Sequence, residues 1–296
     1  MRRWVTVCLA GFLTMAFVTT AFATTTAFAS TTSVSEPWAL VDGEFLASDG
    51  KTAISGAMEK GVSISKYQNR AGDINWKKLV SQDITFAMIR LGDSDEKDPY
   101  FEINMKEAKE HGIKTGVIYY TKALTKAKAE EEASEVLELI KEYPVSYPVA
   151  LDVESQYMRS KGLNRQQIVD ITNAFCKVIA DAGYSPVVYG DYETLTRELD
   201  STQIPYHIWY VRYGVGNTYK DRTLWQCTDS ARVDGIKGFV CLEFSFVDYS
   251  KLFAGTGWRM INGIWYYYEE YGMVRNTTME IDGKVYRFSK SGHIIA

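Results

Sequence analysis

The run Tyr147-Pro148-Val149-Ala150-Leu151-Asp152-Val153-Glu154-Ser155 sets two carboxylates two residues apart at the end of an apolar stretch. In a strand, successive side chains alternate between faces. Val149, Leu151 and Val153 share one face, and Ala150, Asp152 and Glu154 share the other. The first face is bulky and apolar, suited to packing on helices. The second sends both acids the same way, about 7 Å apart along the backbone. Carboxylates turned toward an interior cost free energy unless something compensates. Two acids at this kind of separation are the working parts of glycoside hydrolysis. The run also suits a plainer reading, an N-capping acid and a surface acid after a core strand, and by itself leaves both open.

The surrounding elements must place these acids. Gly61 to Ser65 predicts a short strand, and Asp73 caps a helix through Gln82. Ile84 to Arg90 predicts a second strand. Asp98-Pro99 opens the next helix with proline at its first position, and Gly112 can take the left-handed position that ends it. Thr115 to Thr121 reads as a third strand. Lys126 to Tyr143 reads as a helix whose many Glu and Lys form a solvated outer face. After the acid-bearing strand, Asn164 and Gln167 form a capping box. Ile168, Ile171, Phe175, Val178, Ile179 and Ala182 recur at helical spacing up to Gly183. Pro186 to Gly190 is a fifth strand, followed by a helix near Tyr192 to Leu199. His207 to Tyr213, Thr223 to Thr228 and Phe239 to Phe246 are three more strands, with no room for long helices between them. Strand–helix alternation implies a parallel sheet. Eight strands over about 190 residues predict an α/β fold, a closed (β/α) barrel of the TIM-like type with irregular last strands. Chemistry in such barrels sits at the C-terminal strand ends, where Asp152 and Glu154 lie.

The chain ends read differently. Arg2-Arg3, the apolar run Val5 to Phe22, and the Ala-x-Ala sites at 21–23 and 27–29 predict a secretory signal peptide over residues 1–29. The protein is therefore expected outside the cell or in the cell wall. Residues 30–60 read as a linker and irregular lead-in, 61–253 as the barrel, and 255–296 as a second unit. A net charge of −4 offers no basic patch for nucleic acid. After leader removal no segment is apolar enough to span a bilayer. His111, His207 and His293 lack metal-binding spacing, so neither metal nor cofactor is expected.

Several pieces carry a more specific resemblance. These are Gly61-Val62-Ser63-Ile64-Ser65-Lys66-Tyr67-Gln68, Asp73-Ile74-Asn75-Trp76, Asp98-Pro99-Tyr100-Phe101, the acid-bearing run, Trp209 to Tyr213, Leu224-Trp225-Gln226 and Val233 to Gly238. In order and spacing, residues 61–253 resemble the glycoside hydrolase family 25 lysozymes, the N-acetylmuramidases of bacteria and their phages. The resemblance implies cleavage of the β-1,4 bond between N-acetylmuramic acid and N-acetylglucosamine in peptidoglycan glycan strands. It implies Glu154 as general acid. Asp152 would stabilise the oxocarbenium-like transition state or orient the substrate's acetamido group. Ser63, Tyr67, Tyr120, Tyr189, Trp209, Gln226, Cys241 and Glu243 are expected to bind substrate, although Tyr189, Trp209, Tyr210 and Trp225 also suit ordinary barrel core. The chain departs from the family at four places. Ser63 stands where the first strand has an acid (G-I-D-V-S), and Cys241 where the last strand has one (V-D-L-N). Ile118 and Cys227 replace tyrosines. By strand parity Glu243 shares a face with Cys241, which brings a carboxylate back. The departures leave an alternative, a relative that binds cell-wall glycan without cleaving it.

The last forty or so residues carry an internal echo. Gly257 to Tyr268 reappears about twenty residues later, ending in Ile281-Asp282-Gly283-Lys284-Val285-Tyr286-Arg287-Phe288. Asn262-Gly263 and Asp282-Gly283 predict type I′ hairpin turns between aromatic strands. The echo resembles the choline- or glucan-binding repeats of secreted bacterial proteins. Trp258, Trp265 and Tyr267 are the candidates for holding choline or another cell-wall polymer. A hairpin unit that only packs on the barrel, or one that is itself the working part of an attachment protein, fits the same residues.

Of the four cysteines, Cys8 leaves with the leader. Folding the chain back about Asp234-Gly235 sets Cys227 nearly opposite Cys241, within cross-strand disulfide reach. Secretion permits oxidation, so a Cys227–Cys241 disulfide is expected, with Cys176 free.

Overall fold

Parallel strands buried on both faces read as near-continuous apolar runs, and Val145–Val153 does so, with Asp152 its one residue that is not fully buried. The computed structural model describes residues 36–214, 219, 222–249, 257–261, 264–269, 272–290 and 292–295. The leader expected at 1–29 and the Asn262-Gly263 turn lie outside them.

The described chain opens with a small hairpin, β1 (Leu40–Val41) and β2 (Glu44–Phe45). Asp42 (φ 51°) and Gly43 (φ 85°) make its turn. Phe45 is buried against Phe244, ring centroids 5.2 Å apart, and Trp38 meets Trp225 edge-on at 6.1 Å. This lead-in is thus folded onto the barrel core.

Eight strands close the barrel: β3 (Glu59–Ile64), β4 (Ile84–Asp93), β5 (Lys114–Thr121), β6 (Val145–Val153), β7 (Pro186–Asp191), β8 (His207–Val211), β9 (Arg222–Ala231) and β10 (Val240–Ser245). From β3 to β9 neighbours are parallel, whereas β10 is antiparallel to both β9 and β3. Residues 232–239 are too few for a parallel crossover, which takes at least about ten to twelve. The chain therefore turns straight back.

The helices are α1 (Lys66–Ala71), α2 (Trp76–Val80), α3 (Phe101–Glu110), α4 (Lys126–Ile140), α5 (Ser155–Ser160) and α6 (Arg165–Asp181). The capping box at Asn164 and Gln167 forms, Gly183 follows α6 at φ 88°, and Gly112 follows α3 at φ 71°. Two starts differ from expectation. Asn75, not Asp73, caps α2 by accepting from the Lys78 amide. α3 begins at Phe101, because Asp98 is engaged elsewhere, accepting from the amides of Lys66 and Tyr100. A five-residue π-helical turn, Thr194–Glu198, stands where a helix was expected after β7.

Inside the barrel, Phe86 stacks on Tyr147 with centroids 4.2 Å apart. Gly61 makes room for that ring, since a Cβ there would lie 2.5 Å from Phe86.

The expected disulfide does not form: Cys176, Cys227 and Cys241 are free thiols. The reason is a bulge. Gln226 pairs with Glu243 and Thr228 with Leu242, so Cys227 is an extra residue with no counterpart. Its thiol donates to the Leu242 carbonyl at 3.3 Å. Cys241 falls beyond Leu242, opposite the second register shift, and pairs with Ser63 on the other neighbouring strand.

The C-terminal part comprises β11 (Gly257–Ile261), β12 (Ile264–Glu269) and β13 (Gly272–Met273), then β14 (Thr278–Ile281) and β15 (Lys284–Arg287). Asp282 (φ 52°) and Gly283 (φ 76°) form the expected type I′ turn. Trp258 lies across from Tyr267 and also against Tyr286, with centroids 5.0 and 4.7 Å away. Tyr267, Val274, Ile281 and Phe288 form the centre of this small core. Trp258 and Tyr267 are therefore packing residues rather than walls of an open cage, and Trp265 is the ring left exposed, at 47%. On the opposite strand face, Tyr268 packs its ring over Gly183 and donates its hydroxyl to the Ala182 carbonyl at 3.4 Å.

Alkylation of the mature protein, unfolded without reductant, is expected to label Cys176, Cys227 and Cys241 alike. Peptide mapping that finds Cys227 joined to Cys241 would contradict the bulge register.

Candidate active site

The acids at 152 and 154 occupy different environments. Asp152 is the penultimate residue of β6, in register with Tyr120 on β5 and Tyr189 on β7. Glu154 is the first residue past the strand, where the chain turns into α5, and its side chain is exposed. Its amide donates to the Thr121 carbonyl at 3.1 Å. One acid is thus set in the barrel wall and the other on its rim. Burial, then the charges of Glu154 and Asp191, push Asp152 up to about 8. The same burial, reinforced by Asp152, holds the Tyr120 and Tyr189 phenols in their neutral form. Arg90 places its guanidinium 5.3 Å over the Tyr120 ring while paired with Asp93 at 2.6 Å and Asp98 at 3.4 Å.

A buried polar floor supports this wall. The Ser63 hydroxyl donates to one Glu243 oxygen at 2.7 Å, and the Trp209 indole N–H donates to the other at 3.1 Å. Tyr189 donates to Gln226 at 2.6 Å and meets Trp209 edge-on, centroids 4.9 Å apart. Burial raises Glu243 to about 8 against the pull of those two donors.

Trp209, Gln226 and Glu243, expected to bind substrate, are 0%, 3% and 0% exposed. Trp209 and Ser63 donate to Glu243, and Gln226 accepts from Tyr189, so these three buried residues form the floor. Tyr210 and Trp225 are barrel core. Ser63, Tyr120, Tyr189 and Cys241 are partly exposed, and Tyr67 stands out at 65%. The sequence reading missed Arg90 and the exposed rings of Tyr192, Tyr213 and Phe239. These rings lie just beyond β7, just beyond β8 and just before the antiparallel β10. All three positions lie at the rim that carries Glu154. An aromatic at or just beyond the end of a predicted strand was the available signal. Among the described residues no group of three or more His, Cys, Asp or Glu could hold a metal ion.

Glu243 has a stability consequence. Its folded value, about 8, exceeds the ordinary 4.5. The folded state therefore keeps a proton that the unfolded chain releases as pH rises, and stability declines across the window from about 4.5 to about 8. Asp152 acts with the same sign. Glu243→Gln removes one of these two contributions. Relative to wild type, the variant's melting temperature should improve progressively through that window. A difference independent of pH would show that Glu243 does not titrate there.

The sequence model of the family described as glycosyl hydrolases family 25 matches residues 62–236. No curated protein matches the chain. Among solved structures, the modular autolysin LytC from Streptococcus pneumoniae, determined in complex with a synthetic peptidoglycan ligand, is 27% identical with a TM-score of 0.61. The alignment covers 70% of this chain and 52% of LytC, so this chain spans about half of that protein's length. The bacterial lysozyme from Streptomyces coelicolor shares the fold at 21% identity and a TM-score of 0.52, covering 66% of this chain and 95% of its own. The spore cortex lytic enzyme SleM of Clostridium perfringens does so at 15% and 0.57, covering 81% and 95%. With a family match over more than half its length and a closed barrel, the chain belongs to glycosyl hydrolase family 25.

Proposed function

We propose that this chain is a secreted peptidoglycan hydrolase that cleaves the β-1,4 bond between N-acetylmuramic acid and N-acetylglucosamine. The observation that carries the reading is the division of labour between the two acids: Asp152 held in the wall between Tyr120 and Tyr189, and Glu154 free on the rim. Paired carboxyls with unlike environments are how one site supplies both a proton donor and a charge stabiliser. Glu154 has the reach to protonate the leaving oxygen. Burial, with the neighbouring acids, favours a proton on Asp152 at neutral pH, and Glu154, exposed to solvent, can take up the proton it donates. Asp152, fixed by its neighbours, orients the acetamido group in its protonated form or, once ionised, stabilises positive charge developing on the sugar. Tyr67, Tyr192, Tyr213 and Phe239 offer ring faces on which sugars can stack.

Glu243 bears on the departures from the family pattern. Its carboxyl lies 2.7 Å from the Ser63 hydroxyl, so the eighth strand brings an acid close to the place where the family carries one on the first. Ser63 and Cys241 themselves favour the second reading, a barrel that binds cell-wall glycan without turning it over.

The leader at 1–29 would direct export, with the lead-in at 30–60, the barrel at 61–253 and the hairpins at 255–296 as its parts. Among the described residues no helix is long and apolar enough to cross a membrane. In the C-terminal hairpins, the exposed Trp265 is the ring that choline or another wall polymer would meet.

The test is incubation of the purified protein with peptidoglycan and mass spectrometry of new reducing ends. Muramic acid at the reducing end is the expected product. Glu154→Gln should lower the rate by about 10²-fold or more while leaving glycan binding intact. Full activity in that variant would remove Glu154 from the mechanism. Binding by wild type with no new reducing ends would favour the second reading.

A further inference from the structure

Helix α4 carries its charges outward with one exception. Glu130, Glu131, Glu135 and Glu138 are exposed, whereas Glu132 is 1% exposed on the face that buries Ala129, Ala133, Val136 and Ile140. A carboxyl on an apolar helix face is costly unless it is hydrogen-bonded. Glu132 is bonded: the Thr121 hydroxyl, at the end of β5, donates to it at 2.5 Å. That hydroxyl also accepts from the Ala123 amide at 3.1 Å, and so holds the turn after β5. Ser94, in the loop after β4, accepts from the Lys122 amide at 2.8 Å and so ties that loop to the same turn. The backbone carbonyl of Thr121 is the acceptor for the Glu154 amide.

We propose that Glu132 is a positioning residue for Glu154, acting through Thr121. The buried carboxyl fixes the Thr121 side chain and the 121–123 turn, and the turn's carbonyl holds the backbone from which Glu154 projects. Neither Glu132 nor Thr121 touches substrate in this scheme. Their contribution is to restrict the rim acid to one approach to the leaving oxygen, which matters because small misplacements of a proton donor are costly in rate. Burial raises the carboxyl of Glu132 above the usual range. A neutral amide should therefore substitute for it better than truncation does.

The proposal rests on the assignment of Glu154 as the rim acid of a hydrolase, and its test separates the two. The variants are Glu132→Ala, Glu132→Gln, Thr121→Val and the Ala/Val double. Turnover of peptidoglycan is measured beside hydrogen exchange of the Glu154 amide. Expected are a roughly tenfold loss of kcat in Glu132→Ala and Thr121→Val with KM changed less than about twofold, and a Gln variant within about threefold of wild type. The double variant should lose no more than the worse single, since both changes cut one connection. Exchange at Glu154 should quicken in both single truncations, with amides of α6 and β7 unchanged. Multiplying losses in the double variant, or unaltered Glu154 exchange in Thr121→Val, would overturn the proposal. If wild type shows no turnover, the hydrolase reading fails, and the exchange measurement still decides whether Glu132 positions Glu154. If Glu132→Ala does not fold, Thr121→Val and Glu132→Gln carry the same comparison.

Discussion

Closure of the barrel by an antiparallel eighth strand is the constraint on which the rest depends. An open parallel sheet would leave β3 and β9 with unpaired edges. The short connection after β9 turns β10 back between them and satisfies both. That return sets Glu243 against Ser63 on one side and Gln226 on the other. Gln226 then accepts from Tyr189, and Trp209 donates to Glu243. The wall around Asp152 is thus propped by a hydrogen-bonded floor that exists only because the last strand runs the wrong way for a regular (β/α) barrel.

Among the described residues, burial pushes the carboxyls of Glu132, Asp152 and Glu243 toward their protonated forms. They differ in what surrounds them. Glu243 has two side-chain donors and no path to solvent, which suits a structural prop. Glu132 is tied to the turn after β5 by Thr121. Asp152 faces two phenols and two further acids at the edge of solvent, and its state is coupled to that of Glu154. A site of this kind is sensitive to pH through its scaffold as well as through its chemistry, because the same groups govern both.

The C-terminal hairpins show how aromatic residues divide between packing and display. Alternation along β12 sends Tyr266 and Tyr268 to one face and Trp265 and Tyr267 to the other. Tyr268 covers Gly183 at the end of α6, where any side chain would collide with its hydroxyl. The glycine that lets α6 end in a left-handed turn is therefore also the seat of the hairpin unit on the barrel.

Much of the fold was legible in residue order. Apolar runs spaced by helical periodicity marked the barrel strands, and glycine or Asx signals marked several ends, because these depend on local periodicity and backbone sterics. The acid pair at 152 and 154 was legible for the same reason. Strand parity suggested one shared face, but the strand stops at Val153, so only the chain turn into α5 separates a wall acid from a rim acid. The disulfide was misread because a turn signal does not reveal the bulge at Cys227. Trp209, Gln226 and Glu243 were expected to bind substrate by resemblance, whereas how deeply each is buried could not be read from residue order. Glu132 was lost in a run of surface charges, since its partner Thr121 lies on another element. The sequence by itself determined which elements form and which acids lie near a strand end. Which of those acids reaches solvent, which props the wall, and which thiols stay apart were decided only when distant strands met, because burial and hydrogen-bond partners belong to the packed chain and not to its local order.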